Sequence, residues 1–369
     1  MKFKSYAIFF VLFGVIPDIY ISWALGGGAA LALLWLPTLV AAVYLVRIKR
    51  GVDYTESLKV FSYLIFICEF PKLILTLFHV LGAGKAVSLA AGIAVGLFFA
   101  VMIFIVTPML KTTRREIAIE GLPEQFDGLR ICHLSDFHLG SFGKSNPYIK
   151  RIVDAAMAEK PDVILFTGDL VNFDSAEADP YMPELSRLAA PMGIFAVRGN
   201  HDYLLHGHFT EEERLKDTER LLDMERSMGW KILLNANDRI RKDGAEIAIA
   251  GVENISTNPY FPGVGGDLGK ALEGIPDGVF TILLSHDPTH WKKEVAGKAP
   301  VGLTLSGHTH GLKYKLAGLH IPSWTFHQNA GVYEDGPQVL HVSVGLGSAF
   351  AFRLAGRPSV DILTLRKKL

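Results

Sequence analysis

Two cysteines in 369 residues leave no room for a disulfide framework. Cys68 lies in an apolar run and Cys132 in a run that reads as a buried strand, so a bridge between them is not expected. Charge of one sign is also missing. The 37 Lys and Arg balance the 37 Asp and Glu, and no long basic run interrupts the chain. A nucleic-acid partner, which needs a basic surface to offset phosphate, is therefore not expected. Internal repeats and low-complexity segments are absent as well, which removes solenoids and disordered tails.

Apolar residues are abundant: half the chain, with a mean hydropathy of +0.28. That average hides two unlike parts, with the shift near Lys111. Before it stand four apolar runs, near 5–23, 28–46, 58–81 and 86–108. Each approaches the roughly 20 residues needed to cross hydrocarbon. Gly26-Gly27-Gly28 and Gly82-Ala83-Gly84-Lys85 join them in tight hairpins. No small-residue cleavage site follows the first run, which reads as a span rather than a leader. Lys2, Lys4, Arg47, Lys49, Arg50, Lys111, Arg114 and Arg115 flank one side of these spans, and only Lys85 lies on the other. The positive-inside rule then places both termini, and the second part of the chain, on the cytoplasmic face of the cell membrane. The expectation is a multi-pass integral membrane protein in contact with the bilayer: a transmembrane domain over 1–110, a basic juxtamembrane linker over 111–125 and a second domain over 126–369. Glu69 and Lys72 flank Pro71 in the third span. As an i,i+3 pair beside a proline kink they neutralise each other. The alternative is a polar contact for a lipid headgroup or a neighbouring subunit.

From about Leu129 the pattern alternates between strands and helices. LRICHLSD, PDVILFTGDL and GIFAVRGNHD read as buried strands, with helices near 149–158, 177–189 and 211–228. KILLN follows, then a hairpin turning at Asp243-Gly244, then VFTILLSHD, VGLTLSGHTH, VLHVSVGLG and VDILTL. Alternating α and β followed by mostly β implies two packed sheets flanked by helices.

Polar residues cluster just past the apolar part of these strands. SDFH, TGDL, RGNHD, LLSHD and LSGHTHG supply Asp136, His138, Asp169, Asn200, His286, His308 and His310. Residues two apart at a strand end, such as Asp136 and His138, point to one side. Mixed carboxylate, amide and imidazole donors suit two divalent cations, Mn, Fe or Zn, better than Ca. A pair of such cations can clamp a phosphoryl group and acidify a water, and His201, beside Asn200, is placed to protonate the leaving oxygen. Alone, each motif occurs by chance; five in order, each after a strand, carry far more weight. His206 and His208 stand close enough to line the mouth of such a site. His133, His290, His320, His327 and His341 fit surface, core or substrate-shaping positions better than ligation.

SDFH, GDLV, GNHD, SHDP and SGHTHG resemble the motifs of the calcineurin-like metallophosphoesterase family over about 125–369. Gly345-Leu346-Gly347 and Arg353 are similar to the tail of its bacterial membrane-associated branch. The resemblance implies a four-layer α/β/β/α sandwich behind the four-helix transmembrane region. It also implies one metal held by Asp136, His138, Asp169 and His310, and another by Asp169, Asn200, His286 and His308, with His201 as the acid. Two departures stand out. Asn172 replaces an aspartate that orients the acid in many relatives, and a neutral amide gives such a histidine less electrostatic support. This favours a good leaving group, such as a pyrophosphate. GHTHGLKYK places Lys313 and Lys315 where the branch often continues with Gly-Gln, which makes Lys313, with His206 and Arg353, a candidate substrate contact. The function implied is a membrane-bound phosphohydrolase acting on a phosphodiester or pyrophosphate, with a lipid or lipid-linked substrate favoured by placement. A membrane-anchored esterase for soluble nucleotides or phosphoproteins is the second reading, and a non-enzymatic sensor or scaffold the third.

Overall fold

The computed structural model describes residues 3–25, 29–143, 146–257, 263–311, 315–316, 319–320, 327–349 and 357–368. The chain divides after Pro108 into two compact units.

The N-terminal unit is helical. Among the described residues three helices are long and apolar enough to cross a membrane: Lys4–Ala24, Tyr54–Val80 and Lys85–Val106. The run expected over 28–46 falls on the helix Ala29–Lys49, whose first residues' side chains lie outside the described set. The structure thus supports three spans, where four were expected. Each of the three long helices contains one wider i→i+5 turn, at Val11–Val15, Ile65–Glu69 and Met102–Val106.

The second unit carries fourteen strands among its described residues: β1 Lys111–Ile119, β2 Arg130–Leu134, β3 Val163–Phe166, β4 Ile194–Ala196, β5 Lys231–Ile232, β6 Ala236–Lys242, β7 Ala245–Gly251, β8 Thr281–Leu284, β9 Leu303–Ser306, β10 Lys315–Leu316, β11 Leu319–His320, β12 Gly331–Asp335, β13 Gln338–Val342 and β14 Ser359–Lys367. Two six-stranded sheets result, ordered β1-β14-β2-β3-β4-β5 and β12-β13-β9-β8-β7-β6, while among the described residues β10 and β11 form a separate pair. In both sheets four neighbouring strands run parallel (β2, β3, β4 and β5; β7, β8, β9 and β13), so each gathers its strand-end loops on one side.

Period-two alternation sorts the side chains into layers. Ile131, Val163 and Leu165 share a core with Ile249, Ile282 and Leu303 of the other sheet. Their neighbours Cys132, Ile164 and Phe166 face the opposite way, onto Ile149, Ile152 and Val153 of the helix Pro147–Ala158. On the far side Ala250, Leu283 and Leu340 pack with Trp291 and Val295. The expected hairpin turns at Asp243 and Gly244, both with positive φ (50° and 81°), as a two-residue loop matching strand twist requires.

Two expectations are corrected. Residues 111–125 are not simply a linker: Lys111–Ile119 is an edge strand paired along its length with β14, and its Ile117 and Ile119 enter the inter-sheet core. The basic residues near its start masked a strand whose apolar anchors come only at its end. The helix expected over 177–189 is broken into short turns and the four-residue helix Met182–Leu185. Pro180 and Pro183 lack the N–H groups that a continuous helix needs.

The helix Glu211–Ser227 begins with a full capping box at Thr210 and Glu213. Near its other end Glu225 is buried with no hydrogen bond to either carboxylate oxygen, and the Arg198 Nε is 4.0 Å away. Burial, then the nearby Asp202 carboxylate, push Glu225 up from its ordinary 4.5 to about 8. The folded protein therefore retains a proton there that the unfolded chain has released. The associated stability is full below pH 4.5 and is lost as pH rises through about 8. Glu225→Gln removes this titration, so the variant should gain steadily on the wild type in thermal midpoint as pH rises across that window. A wild-type-minus-variant difference that stays flat with pH contradicts the assignment.

Candidate active site

Each sequence-predicted ligand lies at the carboxyl end of a parallel strand. Asp136 and His138 follow β2, Asp169 follows β3 and Asn200 follows β4. His286 follows β8, and His308 and His310 follow β9. Five of these seven, Asp136, His138, Asp169, His308 and His310, adopt left-handed backbone with φ between 49° and 69°. Such conformations cost about 1–3 kcal/mol each for residues with a side chain and persist only where the surroundings enforce them. Here the enforcement is a net of loop-to-loop bonds. Asp136 N donates to Gly168 O (2.9 Å) and His138 N to Asp169 O (3.1 Å). The two sheets join at the same place, because His308 N donates to Asp136 Oδ1 (3.0 Å) and His286 Nδ1 lies 2.7 Å from Thr167 O. Glycine is obligatory at two points of this seam: a Cβ on Gly199 would fall 2.1 Å from Asp169 Oδ1, and one on Gly307 would fall 1.9 Å from Ser135 Oγ.

The donors form a continuous string. Asp136, His138 and His310 can share one centre, and Asp169, His286 and His308 another, with His138, Asp169 and His201 between them. Asp169 Oδ2 is 3.1 Å from His286 Nε2 and 3.5 Å from His138 Nε2, while Oδ1 accepts from His201 N at 2.9 Å. All are buried except His201 and His310, which are partly exposed. The polar balance is incomplete without a cation. His138 Nε2 and both amide atoms of Asn200 are buried with no hydrogen-bond partner, and the carboxylates of Asp136, Asp169, Asp202 and Asp287 share one buried region. The donor set therefore fits two divalent cations.

Electrostatics polarises the two ends differently. Burial drives His138 down to about 3 against the pull of Asp169. At His286 burial also works downward, but the Asp169 carboxylate outweighs it and lifts the ring to about 10. Asp169 is correspondingly held well below the usual carboxylate range: burial opposes this, and His286 and His201 overcome it. His308 is lowered to about 4, chiefly by burial. His206 also falls to about 4, through burial and then His201, whose ring centre is 5.1 Å away.

One contact differs from expectation. The Asn172 side chain does not orient His201. Its Oδ1 is 2.7 Å from His138 Nδ1, and its Nδ2 donates to Ser141 Oγ (3.0 Å). The main-chain oxygen of Asn172 takes His201 Nδ1 instead, at 2.9 Å. A carbonyl reaches His201 whatever the side chain, which explains how an amide is tolerated there. Lys313 and Arg353 lie outside the described residues. His133, expected to pack, is buried against His341 (Nδ1 to Nδ1, 2.9 Å) and Thr167.

Sequence reasoning missed three carboxylates. Asp202 accepts from Asp169 N (2.7 Å), Leu170 N (2.8 Å) and Gly199 N (2.9 Å), tying the loops after β3 and β4 together. Glu177 accepts from Gly140 N (3.1 Å), Asn172 N (2.5 Å) and Phe173 N (3.2 Å). Asp287 Oδ2 is 3.7 Å from His308 Nε2. Asp202 and Asp287 stand inside GNHD and SHDP, where a carboxylate next to a ligand was a readable signal. Glu177 gave none. The Gly345-Leu346-Gly347 turn braces Asp136 from behind, since Leu346 N and Gly347 N donate to Asp136 O.

The chain is similar to several known proteins. A family profile described as calcineurin-like phosphoesterase matches residues 129–312. The metallophosphoesterase YkuE of Bacillus subtilis is 30% identical over 266 residues, covering 70% of this chain and 86% of that protein. A transmembrane protein with metallophosphoesterase domain from Danio rerio is 30% identical over 265 residues, covering 70% of this chain but 57% of its own length. The UDP-2,3-diacylglucosamine pyrophosphatase LpxG of Chlamydia muridarum is 25% identical over 308 residues, covering 69% and 89% respectively.

Asp202 touches no ligand atom directly and acts by holding main chain. Asp202→Ala should weaken manganese binding by about 10–100-fold, the usual effect of losing a support behind a metal ligand, with an unchanged circular dichroism spectrum. Asp202→Asn, which keeps one acceptor oxygen, should lose less. Titration of the apo full-length chain with manganese reads both, and undiminished affinity in the alanine variant contradicts the role.

Proposed function

The chain belongs to the calcineurin-like phosphoesterase family and is a metal-dependent phosphoester hydrolase, and from that premise we propose that it cleaves a phosphodiester or pyrophosphate bond in a lipid or lipid-linked substrate at a membrane. The observation that carries the chemistry is Asp169, a buried carboxylate with imidazoles from both sheets around it. In this reading Asp136, His138, Asp169 and His310 hold one divalent cation, Mn, Fe or Zn, and Asp169, Asn200, His286 and His308 hold the other. When bound, the cations supply Lewis acidity toward phosphoryl oxygens and a water acidified for attack.

The chain's own residues do the rest. His201 Nδ1 faces a carbonyl, which can only accept, so that nitrogen carries a hydrogen. Proton delivery to the leaving oxygen then falls to Nε2, and Asn172 O keeps the ring turned that way. His206 stands beside His201 with its ring held neutral by burial, which suits a wall that shapes the leaving group without adding charge.

Placement supports the lipid. Three helices long enough to cross a bilayer precede the catalytic unit, and one relative bears the name of a lipid-linked pyrophosphatase. The full reading is a multi-pass protein with a fourth span over 28–46 and with the catalytic unit on the cytoplasmic side. Attachment to the bilayer raises the effective concentration of a substrate that never leaves it.

The test is turnover by detergent-solubilised, manganese-loaded full-length protein. It should release product faster from a lipid-linked pyrophosphate in mixed micelles than from a soluble aryl phosphodiester, and Asp169→Asn should abolish both. His201→Ala should cost about 10²–10⁴-fold on a substrate with a poor leaving group and much less on one with a good leaving group. Preference for soluble nucleotides over lipid would overturn the lipid assignment, and turnover that survives Asp169→Asn would overturn the chemistry.

A further inference from the structure

The N-terminal unit buries four polar side chains that the phosphoester chemistry does not use. Asp18, Thr38, Glu69 and Lys72 come from three different helices, and all four are buried. Lys72 Nζ is 2.8 Å from Asp18 Oδ1 and 2.9 Å from Glu69 Oε2. It also donates to Thr38 Oγ1 (3.0 Å) and to Leu34 O (2.7 Å). The i,i+3 pair of Glu69 and Lys72 is therefore not self-contained. Asp18 brings a second carboxylate to one ammonium, leaving one negative charge in excess if both acids are ionised. An uncompensated buried charge in an apolar helical unit is costly.

Hydrogen counting reaches the same point independently. Thr38 Oγ1 is 2.5 Å from Asp18 Oδ2 and 3.0 Å from Glu69 Oε2. A hydroxyl has one hydrogen and two lone pairs. Its hydrogen serves one carboxyl oxygen, and one lone pair takes Lys72. The second carboxyl contact is a hydrogen bond only if the acid brings the hydrogen. In addition, Glu69 Oε1 is fully buried and has no hydrogen-bond partner. Backbone geometry marks the same spot. The wider turns Val11–Val15 and Ile65–Glu69 lie beside Asp18 and at Glu69, and such turns recur at functional sites.

We propose that Asp18, Thr38, Glu69 and Lys72 form a proton-binding site in the helical unit, in which the two acids together hold one proton taken from water. With that proton the cluster is neutral, and its loss leaves a net charge that the packed helices must accommodate. Within seven residues of the cluster's members the same helices also carry Tyr20, Tyr44, Tyr63, Cys68 and His79, of which Tyr20 and His79 are hydrogen-bonded at 2.7 Å. Leu75 and His79, at i+3 and i+7 from Lys72, share its helix face. They line a cavity of about 100 Å³ with Tyr20, Ile21, Lys85, Ser88 and Leu89, a recess whose walls are mainly apolar. Metals and phosphoester chemistry play no part, so the site stands or falls apart from the hydrolase reading.

Infrared spectroscopy of the full-length protein in lipid nanodiscs tests it, with every protein carrying Glu225→Gln so that Glu225, itself protonated at neutral pH, adds no band. At neutral pH this parent should show the carbonyl stretch of a protonated carboxyl, shifted in D₂O. Glu69→Gln or Asp18→Asn, each isosteric with the neutral acid, should remove that band. Lys72→Met, which takes the only counter-charge from both acids, should enlarge it about twofold as the second acid takes up a proton. Circular dichroism confirms that each variant is folded, and the two amide variants keep the test open if Lys72→Met is not. A Glu225→Gln parent without the band, or a band indifferent to both amide substitutions in that parent, overturns the proposal. Stoichiometric sodium bound in place of a protonated acid overturns it equally.

Discussion

The Asp169 carboxylate stands on the seam between two sheets, with His138 from its own sheet and His286 from the other within 3.1–3.5 Å of one oxygen. The remaining site residues are arranged around this interaction. Its other oxygen fixes the main chain of His201, the proposed acid. A buried carboxylate ringed by imidazoles has a balance to settle: without cations its charge falls on His286, raised to about 10, while His138 is forced down to about 3. Two divalent cations would relieve both distortions at once, because each imidazole could then donate its lone pair rather than take or refuse a proton.

Such a centre demands a rigid surround, and the chain supplies it through main chain more than side chain. The left-handed turns at Asp136, His138, Asp169, His308 and His310 aim consecutive motifs inward. Asp202 and Glu177 tie the loops by accepting from runs of amides. Glycines at 199 and 307 leave the space into which the carboxylates fit. The parallel strands place all these turns on one side of each sheet, and the shared core of large apolar residues sets the sheets in fixed register. The helical unit is built on the opposite plan, with a buried polar cluster inside an apolar shell. Its charge count makes it more than a passive anchor.

The site's parts were legible because each candidate ligand follows an apolar strand, and strands announce themselves by β-branched runs. Asp136, Asp169 and His286 could be placed from the sequence for that reason. The contacts among them were not legible, since they depend on which loops meet in space. Asn172 was expected to hold His201 through its amide, yet a main-chain oxygen does so, and main-chain partners leave no mark in residue identity. Glu177 lies in a segment broken by Pro180 that showed no ligand-like pattern. The edge strand Lys111–Ile119 was hidden by its basic opening. Glu69 and Lys72 were visible as a pair, but Asp18 lies 51 residues before Glu69 and joins only through helix packing.

The most direct test of the account is electron paramagnetic resonance of the manganese-loaded full-length chain. If Asp169 bridges two cations, the wild type will bind two manganese ions with the spectrum of an exchange-coupled pair, and Asp169→Asn will leave only uncoupled ions or fewer of them. A wild type with one ion, or with two magnetically independent ions, would contradict a centre organised around this carboxylate.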